Sequence, residues 1–497
     1  MTIDLSTITF TNQADVVPMS GQEDIVNTGI ANTLDGNDTI TGIGSGSNPY
    51  TPSSGYGIFN SGTLNTAEGN DIITGTARYN FFNPSPASGY AIYNTGTLNA
   101  AEGDDIIDGT GEMGGIYNTS TLNTAEGNDT ISARGGTTGD GIYNTGTLNT
   151  AEGNDIITAT TGFGGGDGII NTGTFNTAEG NDIITARGKF YGIDNSGKFN
   201  TADGNDEITG IASSFEGIKI ADGSIFDTGN GNDRISGKSN IGTGIYNGSI
   251  TFNTGDGNDT IEGTAYYIGI YNTGLINTGN GKDTIIANAN YLGRSLSNSS
   301  TIDTGDGEDI ITASGGIYNS GTIDTGDGDD IITGSRGLYD GNEISGIDNK
   351  GTINTGNGND SIIADGLIIG TDGTINTGDA MDIITSSNGI ENDGTINTGN
   401  GADFILANGG FKGQGSVFLG NGKDYLNGFG TGNFNGGNNQ DTLELPSGTY
   451  TVGISGATVS FTNSGVIMQT SEFEKLIAGS TTYDFTSLTD GQTIVVA

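Results

Sequence analysis

TGDGNDTIEG, residues 254–263, reads as a glycine-rich turn that ends in an aspartate and runs straight into a short aliphatic strand. The same context surrounds sixteen aspartates: Asp38, Asp71, Asp105, Asp129, Asp155, Asp182, Asp206, Asp233, Asp259, Asp283, Asp309, Asp330, Asp360, Asp382, Asp403 and Asp424. Two residues after each stands Ile, or Leu426 after the last. Two residues before each stands Gly, except Ala380. Repetition at intervals of 21 to 34 residues means one supersecondary unit stacked many times.

The shortest unit shows the minimum design. From Asp309 it reads DIITASGGIYNSGTIDTGDGD, three short segments separated by glycines, with aliphatic centres at Ile311, Ile317 and Ile323. Period-2 alternation points Ile311 inward and Ile310 outward. Three strands per unit predict an all-β chain: a parallel β-solenoid, or β-helix, of about 17 three-sided coils. Residues 1–24 are expected to cap one end, with SGQEDIV around Asp24 as a degraded first repeat. Residues 25–440 form the solenoid, and 441–497, where the pattern gives way to plain β alternation, form a C-terminal cap. Longer units lengthen the link between the first and second segments. All six prolines (Pro18, Pro49, Pro52, Pro84, Pro86 and Pro446) lie outside the segments, as strands that cannot lose an N–H require.

The chain has 497 residues, 92 of them Gly, 32% hydrophobic, with a formal charge of −44. Such a composition by itself suggests disorder, but a repeat buries its inner face against its neighbours and needs no large core. Stacked corners set like carboxylates about 4.8 Å apart, and their repulsion opposes folding unless cations intervene. With no Cys and no His, the donors are carboxylates and carbonyls, which suit hard cations, calcium above all. The sixteen aspartates are therefore the candidate metal ligands. The other reading of the same turns is a hydrated Asx turn. Acidity argues against nucleic acid as a partner, and no stretch approaches transmembrane length, so membrane insertion is not expected. The first twenty residues hold no Lys, Arg or apolar run, which argues against a cleaved signal peptide.

Three further columns follow from the repeat. Asn60, Asn94, Asn118, Asn144, Asn171, Asn195, Asn247, Asn272, Asn319, Asn349 and Asn392 end the GIYN-type segment and are expected to face inward, bonding along the stack. The residue before them faces out in an aromatic column of Phe59, Tyr93, Tyr117, Tyr143, Tyr246, Tyr271 and Tyr318. This column reads either as cross-coil stacking or as a contact surface for surface glycan, for protein or for another copy of the chain. The residue after nine of the sixteen motif aspartates is Ile72, Ile106, Ile156, Ile183, Ile310, Ile331, Ile383, Phe404 or Tyr425, an outward apolar ridge suited to self-association into oligomers or fibres.

The corners resemble the RTX (hemolysin-type) calcium-binding repeat, G-G-x-G-x-D-x-U-x with U aliphatic. TGNGNDRIS at 228–236, TGDGNDTIE at 254–262 and TGDGEDIIT at 304–312 fit all but the first Gly. The resemblance spans roughly residues 33–443. It implies calcium held between coils by turn carbonyls and by the carboxylates of Asp233, Asp259 and Asp309, with Gly229, Gly231, Gly255, Gly257, Gly305 and Gly307 shaping the turns. Three departures stand out. One motif occurs per coil, so a single ion row is expected. Ala67, Ala101, Ala125, Ala151, Ala178 and Ala202 replace a glycine, so a different turn is expected there. Thr replaces the first Gly nearly throughout. The segment FEKLIAGSTTYDFTSLTDGQTIVVA resembles the end of RTX proteins exported by type I secretion, which implies an extracellular or cell-surface location. The repeat style resembles that of cyanobacterial surface proteins.

Four functions compete: a calcium-stiffened component of a surface layer, filament or matrix; an adhesin using the Tyr column; a polysaccharide lyase; and an ice-binding solenoid. A lyase needs a clustered base and cations, whereas Lys and Arg number 15 and are scattered; no enzyme is expected. Ice binding asks for a flat uncharged array, whereas the turns carry Glu68, Glu102, Glu126, Glu152, Glu179, Asp256 and Asp306.

Overall fold

The computed structural model describes residues 2–18, 23–44, 55–78, 89–162, 164–291, 293–339 and 342–497. Pro49, Pro52, Pro84 and Pro86 lie outside them. Two compact units, Met1–Tyr266 and Tyr267–Ala497, divide the chain. Each is a three-sided parallel β-solenoid. The only helical turns among the described residues are 3-10 segments at Leu5–Thr7 and Phe485–Ser487. The coil from Asp309 consists of Ile310–Ala313, Ile317–Asn319 and Thr322–Asp324, one strand per face. Among the described residues, the face that carries the GIYN-type strands has 17 strands, in line with the expected coil count.

Pairing is parallel and in register, so like residues stack on like. Ile73, Ile107, Ile131, Ile157, Ile184, Ile208, Ile235 and Ile261 form one inner column of the first unit, all essentially buried. Burying one such side chain contributes about 2 kcal/mol. The third face of this unit switches from leucine to a run of rings, with Phe175, Phe199 and Phe226 stacked and Phe252 meeting Phe226 edge to face, at centroid distances of 4.6 to 5.2 Å. In the second unit Ile311, Ile317 and Ile323 are buried as expected.

Both ends are more closely woven into the stack than the boundaries at 24 and 441 suggest. Thr2–Asp4 already pairs in parallel with the strand Asp24–Asn27, and Val16–Val17 with Thr39–Gly44. At the other end Thr442–Leu445 stacks on Tyr425–Asn427, and Lys475–Ala478 stacks on Thr442–Leu445. The antiparallel strands Gly448–Ser455 and Thr458–Asn463 are thus an insertion within the last coil. Period-2 alternation cannot distinguish such a hairpin from a terminal cap.

Candidate metal centre

The motif aspartates do not face solvent. All sixteen are buried, so they are not hydrated Asx turns. In the first unit each Oδ1 accepts the backbone N–H of the motif aspartate one coil earlier, at 2.7–2.8 Å from Asp38 to Asp259. In the second unit the same ladder runs from Asp283 to Asp424 at 2.8–2.9 Å. It extends beyond the sixteen. Asp15 N–H donates to Asp38, and Asp424 N–H donates to Asp441. Asp441 follows Asn-Asn-Gln rather than Gly-x-Gly-x, which is why the motif misses it.

The second oxygen, Oδ2, separates the coils into two kinds. The threonine five residues earlier, the one that replaces the first Gly of the RTX pattern, donates its hydroxyl to Oδ2 from Thr124 and Thr150, and at 2.5 Å from Thr228, Thr254 and Thr325. In other coils that hydroxyl turns to a carbonyl of the next coil, as Thr33, Thr66 and Thr398 do. One hydroxyl hydrogen serves one acceptor. Oδ2 is then buried without a well-directed donor at Asp38, Asp71 and Asp403, and also at Asp182, Asp206, Asp309, Asp360 and Asp382, although the threonine hydroxyl still lies close enough to lower each carboxyl's pKa. Asp105 and Asp424 lack the threonine altogether, with Ala100 and Leu419 in its place, and their Oδ2 atoms are likewise unsatisfied. Burial pushes these carboxyls up: to about 6 at Asp71, Asp155, Asp233, Asp309 and Asp360; to about 7 at Asp129, Asp182, Asp330, Asp382, Asp403 and Asp424; and to about 8 at Asp105 and Asp206. A buried, donor-free carboxylate oxygen requires a proton or a cation.

The turn supplies further oxygens. A Cβ on Gly204 would stand 1.7 Å from the Gly180 carbonyl oxygen and 3.3 Å from Asp206 Oδ1. Carbonyl and carboxylate oxygens from two coils therefore meet where only hydrogen is present. Among the described residues, the carbonyls of Gly69, Gly103, Gly127, Gly153 and Gly180 accept no hydrogen bond. No group of three or more acidic side chains comes together among the described residues, so a site here has one motif carboxylate per coil and backbone oxygens for the rest. That donor set suits calcium, which takes six to eight oxygens in flexible geometry.

Several expectations change. The alanine-containing turns do not differ. Ala67 to Ala202 adopt φ of 58–60°, left-handed like Gly229, Gly255 and Gly305 at 73–80°, and the aspartate ladder runs through them unaltered. The backbone changes instead at Ala380. Beyond it Asn400, Asn421 and Asn438 donate N–H to the carbonyls of Gly378, Gly399 and Gly420, so those carbonyls are already engaged. The inward asparagines do form ladders, from Asn27 to Asn195 and from Asn272 to Asn349. The aromatic column is interrupted. Phe59, Tyr93, Tyr117 and Tyr143 stack at 4.6–5.8 Å, but Ile170, Asp194 and Lys219 follow in that register. Tyr318 stacks instead under the Arg294 guanidinium. The outward ridge is likewise broken, by Thr130, Glu207, Arg234 and Ser361.

The chain matches no protein-family model and no curated protein. Among solved structures it is similar to the crystal structure of a hyperactive, Ca2+-dependent, β-helical antifreeze protein from an Antarctic bacterium. Identity is 18% over 71% of this chain and 76% of that one, with a TM-score of 0.30. A superposition this loose carries no argument about this chain.

Proposed function

We propose that this chain is an extracellular calcium-binding β-solenoid, a structural component of a cell-surface layer, filament or matrix rather than an enzyme. The observation that carries the reading is the row of buried Oδ2 atoms without a well-directed donor, in a stack whose turns also carry glycine carbonyls that accept no hydrogen bond among the described residues. Asp38, Asp71, Asp105, Asp182, Asp206, Asp309 and Asp360 would each offer one carboxylate oxygen to an ion, and the turn carbonyls of neighbouring coils the others. Bound calcium supplies positive charge at a corner that otherwise sums like charges, and so couples folding to the ion.

Circular dichroism in chelator at low ionic strength, followed by calcium titration, tests the reading. The expected result is a cooperative gain of β signal at millimolar calcium, because binding to the folded state alone stabilises it. A full β spectrum in chelator that calcium leaves unchanged would falsify it. Self-association is part of the same proposal. Ile310 and Ile331 are adjacent outward residues in register, as are Ile383, Phe404 and Tyr425. Replacing Ile310, Ile331 and Ile383 with Lys is expected to abolish calcium-dependent oligomers in light scattering while leaving the β spectrum intact.

A further inference from the structure

In a chain with 59 acidic and 15 basic residues, a basic side chain is expected to find an acid, and Lys219, Arg234, Lys282, Arg294 and Arg336 do. The other ten, Arg134, Arg187, Lys189 and Lys238 among them, form no ion pair among the described residues. Arg134, Arg187 and Lys238 are also not scattered. The outward register of the post-aspartate face runs Arg134, Thr160, Arg187, Ile211, Lys238 over successive coils. Cations therefore recur at every second coil, about 9.6 Å apart. Two residues earlier along each strand lies a hydroxyl, Ser132, Thr158, Thr185 or Thr209, half-buried and uncharged.

The same stretch is concave. A cavity of about 550 Å³ opens on this face, lined by Arg134, Thr160, Thr161, Arg187, Lys189 and Ser213. Next to Lys189 in the chain, Phe190 stacks on Phe215 with centroids 5.6 Å apart, and both rings remain exposed, at 37% and 48%. The Lys189 ammonium lies 5.4 Å from the Phe190 ring centre, which ties the aromatic pair to the basic groove. Solvent-exposed apolar rings beside convergent polar groups describe a ligand site.

We propose that this groove binds a linear anionic polysaccharide. Guanidinium groups two coils apart grip carboxylate or sulfate groups in a bidentate manner. The threonine and serine hydroxyls meet sugar hydroxyls. The Phe190–Phe215 pair covers the apolar face of a pyranose ring. A site of this kind fits a surface protein, and its chemistry is separate from the calcium row, so the two proposals fail independently.

The test uses the full chain with calcium in excess and its β spectrum monitored throughout. Three probes are titrated by calorimetry: an oligogalacturonate, a neutral malto-oligosaccharide of equal length, and an oligoglutamate of equal charge. The oligogalacturonate is expected to bind, and Arg134→Ser combined with Arg187→Ser to weaken it about tenfold or more with the spectrum unchanged. Phe190→Ala is expected to weaken the acidic sugar and leave any oligoglutamate binding untouched. The proposal is overturned if the neutral sugar binds as well as the acidic one, or if the double variant binds like the parent. It is also overturned if oligoglutamate binds equally and Phe190→Ala changes nothing; the groove then docks an acidic polypeptide, such as the turn edge of a second copy.

Discussion

Ala380 stands at a position where every other motif turn carries glycine, and it holds φ at +94°. An L-residue there is strained. In the preceding turn, a Cβ on Gly358 would lie 1.8 Å from the Gly328 carbonyl oxygen, so the chain can seat alanine only by rotating its backbone. Ala380→Gly is therefore expected to stabilise the second unit by about 1 kcal/mol, read as a higher melting temperature. Gly358→Ala is expected to lower it. The buried threonine five residues before all but two of the aspartates was in plain view in the sequence but had no assigned role, because nothing in a one-dimensional pattern shows which of two acceptors a hydroxyl chooses.

At the scale of the element, the period and the alternation were legible: strand positions, inward isoleucines and the asparagine column all followed from them. The asparagine ladder makes a firm expectation. Asn118 Nδ2 donates to Asn144 Oδ1 and to the Thr147 carbonyl, both at 2.8 Å. Asn118→Ala leaves those acceptors and the Asn94 donor buried without partners, which is expected to cost about 3 kcal/mol, measured by denaturant titration. What the sequence could not convey was the path of the turn backbone. It suggested that the alanine-containing turns from Asp71 to Asp206 would differ from the glycine turns. Their left-handed φ and intact ladder point instead to full occupancy there, and to weaker binding at Asp382, Asp403 and Asp424, where the turns pair with one another as short strands. Ion occupancies from anomalous diffraction of calcium-soaked crystals check this; equal occupancy along the row refutes it.

For the whole molecule, the raised aspartate pKa values fix the sign of the pH response. An unfolded aspartate titrates near 3.8, whereas the folded ladder holds its protons to about 6–8. Folding thus favours the protonated form. In chelator that contribution is complete below pH 3.8 and is lost as pH rises through 6–8. Thermal melting in chelator is expected to fall steadily from pH 5 to pH 8, and millimolar calcium to abolish the fall by taking the place of the protons. A melting temperature that rises over that interval in chelator would mean that the buried carboxyls are ionised without an ion.

The in-register stack has one more consequence. Each coil begins and ends at the same point of the same turn, so Asp309 and Asp330 occupy equivalent places in the ladder. A gene segment encoding one coil can be copied or lost between two such points, and each face gains or loses one whole strand while the aspartate ladder closes over the join. Length is then free to drift by recombination in steps of one coil, and related genes are expected to differ by whole repeats far more readily than by fractions of one.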